Sequence, residues 1–372
     1  MGKLRQNEAH WSDSDQRWHI HVQYQGVRRH FVSSLGASSR KGKLEAERKA
    51  DRWLEDQLSD ETVRVEVLFD RWIDALKGRT QTAYWKQYES YGRCWIKPVV
   101  GKKTMAKLRE SDLDTVIGQA YKKGLAKKSL MNIRSCLTAF LKYARKCRAT
   151  TLMGDEIVLP KAAPIKGKRS MTSEEIGKVF TSGWTAYRGQ PRKEFYINLY
   201  RFLLFEGLRP GEALGLRWED IDLAGGEYEI RRAINYLGEI TTGKNENARR
   251  RHALSEYSRK ILDAQKALLR EWGIISPWVF PSDSGTCASQ RVLEAAWYRY
   301  LAHNGIARIT LYELRHTNYS VNKDMPSAYK KMLFGHSAKF DGDQVYDHTR
   351  DGDLAAAATM NENAFLSIIA KG

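Results

Sequence analysis

The heptapeptide Leu311-Tyr312-Glu313-Leu314-Arg315-His316-Thr317 follows Thr310, a residue suited to capping a helix, and predicts a helix on which Tyr312 and Arg315 share a face. Downstream come Leu333-Phe334-Gly335-His336 and then, with Tyr346 ten residues after His336, Val345-Tyr346-Asp347-His348. Upstream, an apolar helix ends at Glu206-Gly207-Leu208-Arg209-Pro210-Gly211-Glu212. There Gly207 closes one helix and Arg209 stands at the turn into the next. Between the two arginines, residues 228–234 read as a strand and 239–244 lead into a turn at 245–247. Residues 249–254 return as the partner strand, which leaves Lys244 beside the turn.

Exchanging phosphodiesters without a metal requires cations around the scissile phosphate, a nucleophile, and an acid for the leaving 5′-oxygen. This one segment supplies arginines, a lysine, a histidine and a tyrosine in that role-set. The ordered series Gly-Leu-Arg-x-x-Glu, hairpin Lys, Leu-Arg-His-Thr, Gly-His and Tyr-x-His resembles the catalytic domain of the tyrosine recombinase (phage integrase) family. By that resemblance Arg209 and Arg315 clamp the phosphate, Lys244 protonates the leaving oxygen, His336 supports the phosphate and Tyr346 is the nucleophile. Glu212 and His316 are supporting residues, and no metal or cofactor is expected. Two features depart from the family pattern. Tyr312 stands where His or Lys is usual, and a phenol is neutral and a poor base near neutral pH. The interval from His336 to Tyr346 is about one residue longer than usual, with Asp341-Gly342-Asp343 as the expected insertion.

Working back towards the amino terminus, residues 150–170 read as a linker containing Pro160, Pro164, Gly154 and Gly167 and ending in a basic run. Met171-Thr172-Ser173-Glu174-Glu175 then opens a capped helix. Residues 61–149 read as helical: 63–76 with Val67, Leu68, Trp72 and Leu76; 80–95 with three tyrosines; a break over Pro98-Val99-Val100-Gly101-Lys102-Lys103; a helix from Ser111-Asp112; and a long basic helix over 127–148. Residues 1–60 read as strands at 17–24 and 27–32, with a short one near His10-Trp11. A helix over 43–58 follows, with Leu44, Ala46, Ala50, Trp53 and Leu54 on or near its inner face. Arg28 and Arg29 lie on the second long strand. Residues 353–370 read as an apolar-faced tail helix (Leu354, Ala357, Ala358, Phe365, Leu366, Ile369), expected either to pack on its own domain or, the favoured alternative, to dock on a neighbouring protomer.

The net charge is +18, and its distribution points to a partner. Residues 61–170 hold 24 Lys/Arg against 10 Asp/Glu, whereas 1–60 hold 11 against 9 and 171–372 hold 27 against 25. Most of the excess is thus concentrated in the middle segment, as a polyanion-facing surface requires. Lys127, Lys128, Arg134 and Lys142 on the long basic helix are the candidate phosphate contacts, together with Arg28 and Arg29. The four cysteines form no close pair, so reduced thiols are expected. Without a membrane span or an apolar leader, a cytoplasmic protein is expected.

The expected architecture is therefore multidomain and mainly α: an arm-type DNA-binding domain of sheet plus helix (1–60), a helical SAM-like core-binding domain (61–149), a linker (150–170), and a mainly α catalytic domain with a β hairpin and tail helix (171–372). The resemblance implies a site-specific recombinase that integrates and excises a mobile element, cutting double-stranded DNA through a 3′-phosphotyrosine. Four protomers would pass through a Holliday junction, with a DNA-bending or excision protein as accessory partner. A type IB topoisomerase shares this chemistry, and a catalytically silent DNA-binding protein shares the fold. The amino-terminal sheet and basic helices argue against the first, and retention of the site residues argues against the second.

Overall fold

The computed structural model describes residues 5, 7–24, 27–58, 63–165, 167–241, 249–335 and 352–370. The chain divides into two compact units, Met1–Lys166 and Gly167–Gly372.

In the first unit, β1 (His10–Ser12), β2 (Arg17–Tyr24) and β3 (Val27–Val32) form an antiparallel sheet in that order, where period-two alternation placed the strands. Helix α1 (Arg40–Leu58) covers one face, burying Ile20 and Val22 with Ala46, Ala50 and Leu54. Leu44, expected inward, is 40% exposed. Residues two apart on a helix point about 200° from each other, so Ala46 facing the sheet turns Leu44 to solvent.

A bundle of α2 (Val65–Lys77), α3 (Thr82–Tyr91), α4 (Lys97–Val100), α5 (Glu110–Lys122) and α6 (Lys127–Lys146) follows. Its core is built on Leu68, Phe69, Trp72, Ile133, Leu137 and Phe140. Val67, expected inward, faces out because Phe69 and Ile73 take the buried stripe. The helical run breaks within residues 98–103 as expected, at Gly101 rather than at Pro98 itself. A π-helical turn, Gly92–Ile96, delivers the chain into α4, where proline stands in the first turn and its missing N–H costs little. Gly92 is needed there because a Cβ would fall 2.2 Å from the Phe69 ring. The stretch read as a linker packs partly on this bundle: Ile157 and Ala163 are buried in its core, and Lys127 N–H donates to the Pro164 carbonyl.

The second unit opens with α7 (Ser173–Thr181), whose cap has the expected form: Glu175 N–H donates to Thr172 Oγ1 at 3.2 Å and Thr172 N–H to Glu175 Oε2 at 2.9 Å. The hairpin of β4 (Trp184–Tyr187) and β5 (Gln190–Lys193) was not expected. Its sequence signal is the Arg188-Gly189 pair, both at positive φ (51° and 77°), the two-residue turn that suits strand twist. Helix α8 (Ile197–Glu206) runs through the core with every residue buried except Arg201. After α9 (Pro210–Leu214) come β6 (Ile221–Asp222), β7 (Glu227–Ile230), β8 (Ala233–Ile234), β9 (Ile240–Thr241) and β10 (Arg250–Ala253). β10 pairs with β7, Arg250 opposite Ile230, in a sheet of order β10-β7-β6, while β8 and β9 pair separately. The strand read over 228–234 is therefore interrupted at Arg231-Arg232. Arg232 turns aside to bond the buried Asp220 at 2.6 Å. The remaining helices are α10 (Glu256–Glu271), α11 (Gln290–His303), α12 (Leu311–Val321), α13 (Ser327–Phe334) and α14 (Asp353–Ile369).

The tail helix α14 packs on its own unit, the first of the two expected alternatives. Phe365 is fully buried against Phe180 and Phe205, while Leu366, expected inward, is 39% exposed. Asn361 anchors the helix. Its Oδ1 accepts from Asn318 at 3.1 Å and Asn322 at 2.7 Å, and its Nδ2 donates to the Phe205 carbonyl at 2.8 Å. An aliphatic core with one satisfied amide cluster fixes the helix register, because any slip would leave buried amides unpaired. Asn361→Ala is therefore expected to cost about 1–3 kcal/mol, the desolvation of unpaired amides. Thermal unfolding of the full chain measures it, and an unchanged midpoint would mean that the amide cluster does not hold the tail.

Candidate active site

The site forms where three chain segments meet. Helix α8 ends on Gly207 in the left-handed conformation (φ 63°), in a space where a Cβ would meet Phe334 at 2.9 Å and Asn318 at 3.0 Å. That turn presents the Gly207 carbonyl to Arg315 of α12, whose Nη1 donates to it at 2.9 Å. Arg315 Nη2 donates to the Phe334 carbonyl at the end of α13, and the Phe334 ring lies 4.9 Å from the guanidinium. Arg315 is only 4% exposed. Burial, with Arg209 and Arg250 close by, brings its guanidinium down to about 10, which leaves it charged at neutral pH.

Arg209 precedes α9 with its side chain 38% exposed. Its backbone N–H donates to Glu212 Oε2 at 3.0 Å and its Nη1 to Glu212 Oε1 at 2.6 Å. Glu212 is 4% exposed. Burial alone would raise its pKa, but the hydrogen bonds and charge of Arg250, with help from Arg209, hold it at about 2. Two guanidinium groups, those of Arg209 and Arg250, thus share one carboxylate, and Arg315 lies near enough to feel their charge, leaving a positive excess at the site.

Tyr312 shares the α12 face with Arg315 and is 44% exposed, its phenol engaging Arg209. His316 is turned away from the arginines. It bonds Lys168 Nζ through Nε2 at 2.7 Å, and Lys168 also lies 5.4 Å over the Tyr312 ring. Lys244, His336 and Tyr346 lie outside the described residues. At Gly335, where the described chain of α13 ends, a Cβ would sit 3.0 Å from Arg250 Cδ. Among the described residues, no three His, Cys, Asp or Glu side chains are placed to hold a metal ion.

Three residues here were not singled out from the sequence: Arg250, His252 and Glu206. Arg250 and His252 alternate inward on β10, and Glu206 is a carboxylate ending an otherwise apolar helix, which was the available signal. Glu206 is buried, accepts from Tyr228 Oη at 2.8 Å and from Ser258 Oγ, and lies 4.0 Å from His252 Nδ1. Burial lifts its carboxyl to about 7.

In the first unit, Lys128 and Lys142 are exposed, and Lys127 and Arg134 half-buried. At 100° per residue these four fall within one arc of α6, with Lys128 and Lys142 turned away from the buried stripe of Leu130, Ile133, Leu137 and Leu141 and Lys127 and Arg134 flanking it. Arg28 and Arg29 are both exposed but on opposite faces of the sheet. Arg28 lies across from Gln23 on the face with His21 and His30, whereas Arg29 lies across from the buried Val22. No helix among the described residues is long and apolar enough to cross a membrane.

Comparison with known proteins matches residues 171–352 to the phage integrase family and residues 65–118 to the N-terminal SAM-like domain of phage integrases. A tyrosine recombinase XerC-like protein of Caldanaerobacter subterraneus subsp. tengcongensis is 25% identical over 211 residues, 53% of this chain and 52% of that protein. Prophage integrase IntR of Escherichia coli K12 is 28% identical over 141 residues, 32% of this chain and 34% of IntR. The match therefore spans about half, or less, of these curated relatives. Among solved structures, the Tn1549 transposon integrase with circular intermediate DNA superposes with a TM-score of 0.64 at 15% identity, over 79% of this chain and 98% of that one. A lambda integrase tetramer bound to a Holliday junction gives 0.58 at 16% identity, over 92% and 96%. At these identities the likeness is one of fold.

The buried Glu206 makes stability depend on pH. A carboxyl raised from 4.5 to about 7 binds its proton more tightly in the native state, so stability falls as pH rises through that window and levels off above it. Glu206→Gln, neutral throughout, is expected to gain on the parent chain from pH 5 to pH 8, by on the order of 3 kcal/mol at most. Melting temperatures of the two proteins across that range test this, and a constant difference would show that Glu206 does not titrate there.

Proposed function

The chain belongs to the phage integrase family, and from that premise we propose that it is a site-specific tyrosine recombinase that cuts and rejoins duplex DNA for the integration and excision of a mobile element. The observation that carries this reading is the pairing of Arg209 and Arg315. They come from distant parts of the sequence, and each is fixed by its own partners: Arg315 by the Gly207 and Phe334 carbonyls, Arg209 by Glu212. Two preorganised guanidinium groups match the non-bridging oxygens of a phosphodiester and stabilise charge that builds as it is attacked.

In the proposed reaction the Tyr346 oxygen attacks phosphorus and gives up its phenolic proton to water. The bond from phosphorus to the 5′-oxygen breaks, Lys244 gives that oxygen a proton, and a 3′-phosphotyrosine and a 5′-hydroxyl result. Arg209, Arg315 and His336 neutralise the phosphate, with Tyr312 hydrogen-bonding beside Arg209. The covalent bond conserves the phosphodiester energy, so rejoining needs no nucleotide, and the cations present take the place of a metal. Attack by the 5′-hydroxyl of a second strand reverses the step. The lambda integrase tetramer on a Holliday junction supports four protomers exchanging strands in pairs. The sheet domain would hold arm-type sites and the α6 face core-type sites, with an accessory bending or excision protein, in the cytoplasm.

A nicked duplex spanning the ends of the element that carries the coding sequence traps the cleaved state, and a denaturing gel reads the covalent adduct. The wild-type chain is expected to form it with no added metal, and Tyr346→Phe to form none. Arg209→Lys and Arg315→Lys are each expected to slow it by about 10²–10³-fold, as for loss of an oxyanion donor. An adduct persisting in Tyr346→Phe would move the nucleophile to another tyrosine. Specific binding without an adduct from the wild type would favour a silent DNA-binding protein.

The α6 face yields a separate expectation. Replacing Lys128 and Lys142 together with alanine should weaken binding to all duplexes alike and flatten the slope of log affinity against log salt by about 0.9 for each phosphate no longer neutralised. Titrations between low and moderate salt measure the slope, and an unchanged value would take this face off the DNA.

A further inference from the structure

Arg249, Arg250 and Arg251 are consecutive, yet only the middle one turns inward: its side chain is 9% exposed against 69% for Arg251. Arg250 places its whole fork on buried acceptors. Nη1 donates to Glu212 Oε1 at 3.1 Å, Nη2 to Glu212 Oε2 at 2.9 Å, and Nε to His252 Nε2 at 2.9 Å. Each Glu212 oxygen is therefore shared: Oε1 also receives Arg209 Nη1, and Oε2 receives the Arg209 backbone N–H. His252 is 1% exposed. Its acceptor role at Nε2 puts the ring proton on Nδ1, which lies 4.0 Å from Glu206 Oε2. Glu206 in turn directly precedes Gly207, whose carbonyl holds Arg315. The mountings of the two arginines thus lie close together, but they are not hydrogen-bonded to each other through His252, whose Nδ1 has no hydrogen-bond partner among the described residues.

We propose that Arg250 is a positioning residue for strand cleavage: it locks the Glu212 carboxylate that aims Arg209 at the scissile phosphate, and the buried His252 holds Arg250 in place. Without it, Glu212 would be a buried carboxylate balanced only by Arg209, a long side chain more than one-third exposed. Arg209 would then sample several rotamers. A bidentate fork supplies what a point charge cannot, because both carboxylate oxygens are fixed at once. The proposal rests on the site's reading as a DNA-cleaving centre, and it concerns the mounting of Arg209 rather than contact with DNA.

The experiment uses the full chain as wild type, Arg250→Gln, Arg250→Lys, Glu212→Gln and the Arg250→Gln/Glu212→Gln double variant. The probe is the nicked duplex described above. Binding of that duplex is expected to stay close to wild type, while adduct formation slows by about 10²-fold in both Arg250 variants, the scale of a small misplacement of a catalytic group. Because Arg250 acts through Glu212, the double variant is expected to be no slower than the slower single variant. Wild-type cleavage rates in Arg250→Lys, or effects that multiply in the double variant, overturn the proposal. If Arg250→Gln fails to fold, Arg250→Lys, which keeps the charge and aliphatic stem, decides. Arginine side-chain 15N–1H spectra, with the Arg209 signal assigned through Arg209→Lys, give a readout that needs no DNA. Slow guanidinium exchange at Arg209 in wild type, lost in Arg250→Lys, supports the proposal, and its retention overturns it. If wild type binds the duplex but forms no adduct, the recombinase reading fails, and these spectra still decide whether Arg250 mounts Arg209.

Discussion

A guanidinium with almost no access to water must find its hydrogen bonds inside the protein, and Arg315 finds them on two main-chain carbonyls, Gly207 and Phe334. Both carbonyls sit at the ends of helices, where the last turns have acceptors to spare. Meeting that one requirement pins the end of α8 and the end of α13 to the middle of α12. Gly207 and Gly335 both take the left-handed conformation that stops these helices, at φ 63° and 55°. The packing around Gly207 leaves no room for a side chain. The site is thus a junction of helix ends whose geometry is set by the need to solvate a buried cation.

The electrostatics follow from the same junction. Arg209, Arg250 and Arg315 are gathered around Glu212, and like charges so close would repel without it. One carboxylate balances only part of the charge, which leaves the cluster with a net positive charge. Behind the arginines the interior stays polar, with His252 beside Glu206, Glu206 bonded to Tyr228 and Ser258, the amides of Asn318 and Asn361 bonded to the α8 backbone, and that of Asn322 bonded to Asn361. Such an interior stabilises less than an aliphatic one of equal size, but it allows a single arrangement. The tail helix is held by this same amide cluster, which links its seat to the backbone just before Gly207.

Much of this could be read from residue order. The strands of the amino-terminal sheet, the long amphipathic α6 and the cap of α7 declare themselves through period-two, period-3.6 and capping signals, which depend on neighbours in the chain. Misplacements came where a tertiary neighbour chose the face. Leu44 and Val67 have plausible helical spacing, but Ala46 and Phe69 met the partner surface first. Pro98 looks like a stop, yet a π-helical turn ahead of it absorbs the missing N–H, and Gly92 permits that turn by giving way to Phe69.

By itself the sequence determined the helical class and the charge concentrated between residues 61 and 170, and it supplied the candidate groups for work on a phosphate, because residue chemistry and local periodicity are properties of the chain alone. Only the tertiary structure decided which arginines share Glu212, that Arg250 rather than Arg251 turns inward, that His316 pairs with Lys168, and that α14 lies on its own unit. Each of these is a choice among partners far apart in sequence. Burial makes that choice, since a charged or amide group withdrawn from water is bound to whichever acceptor the fold brings within reach.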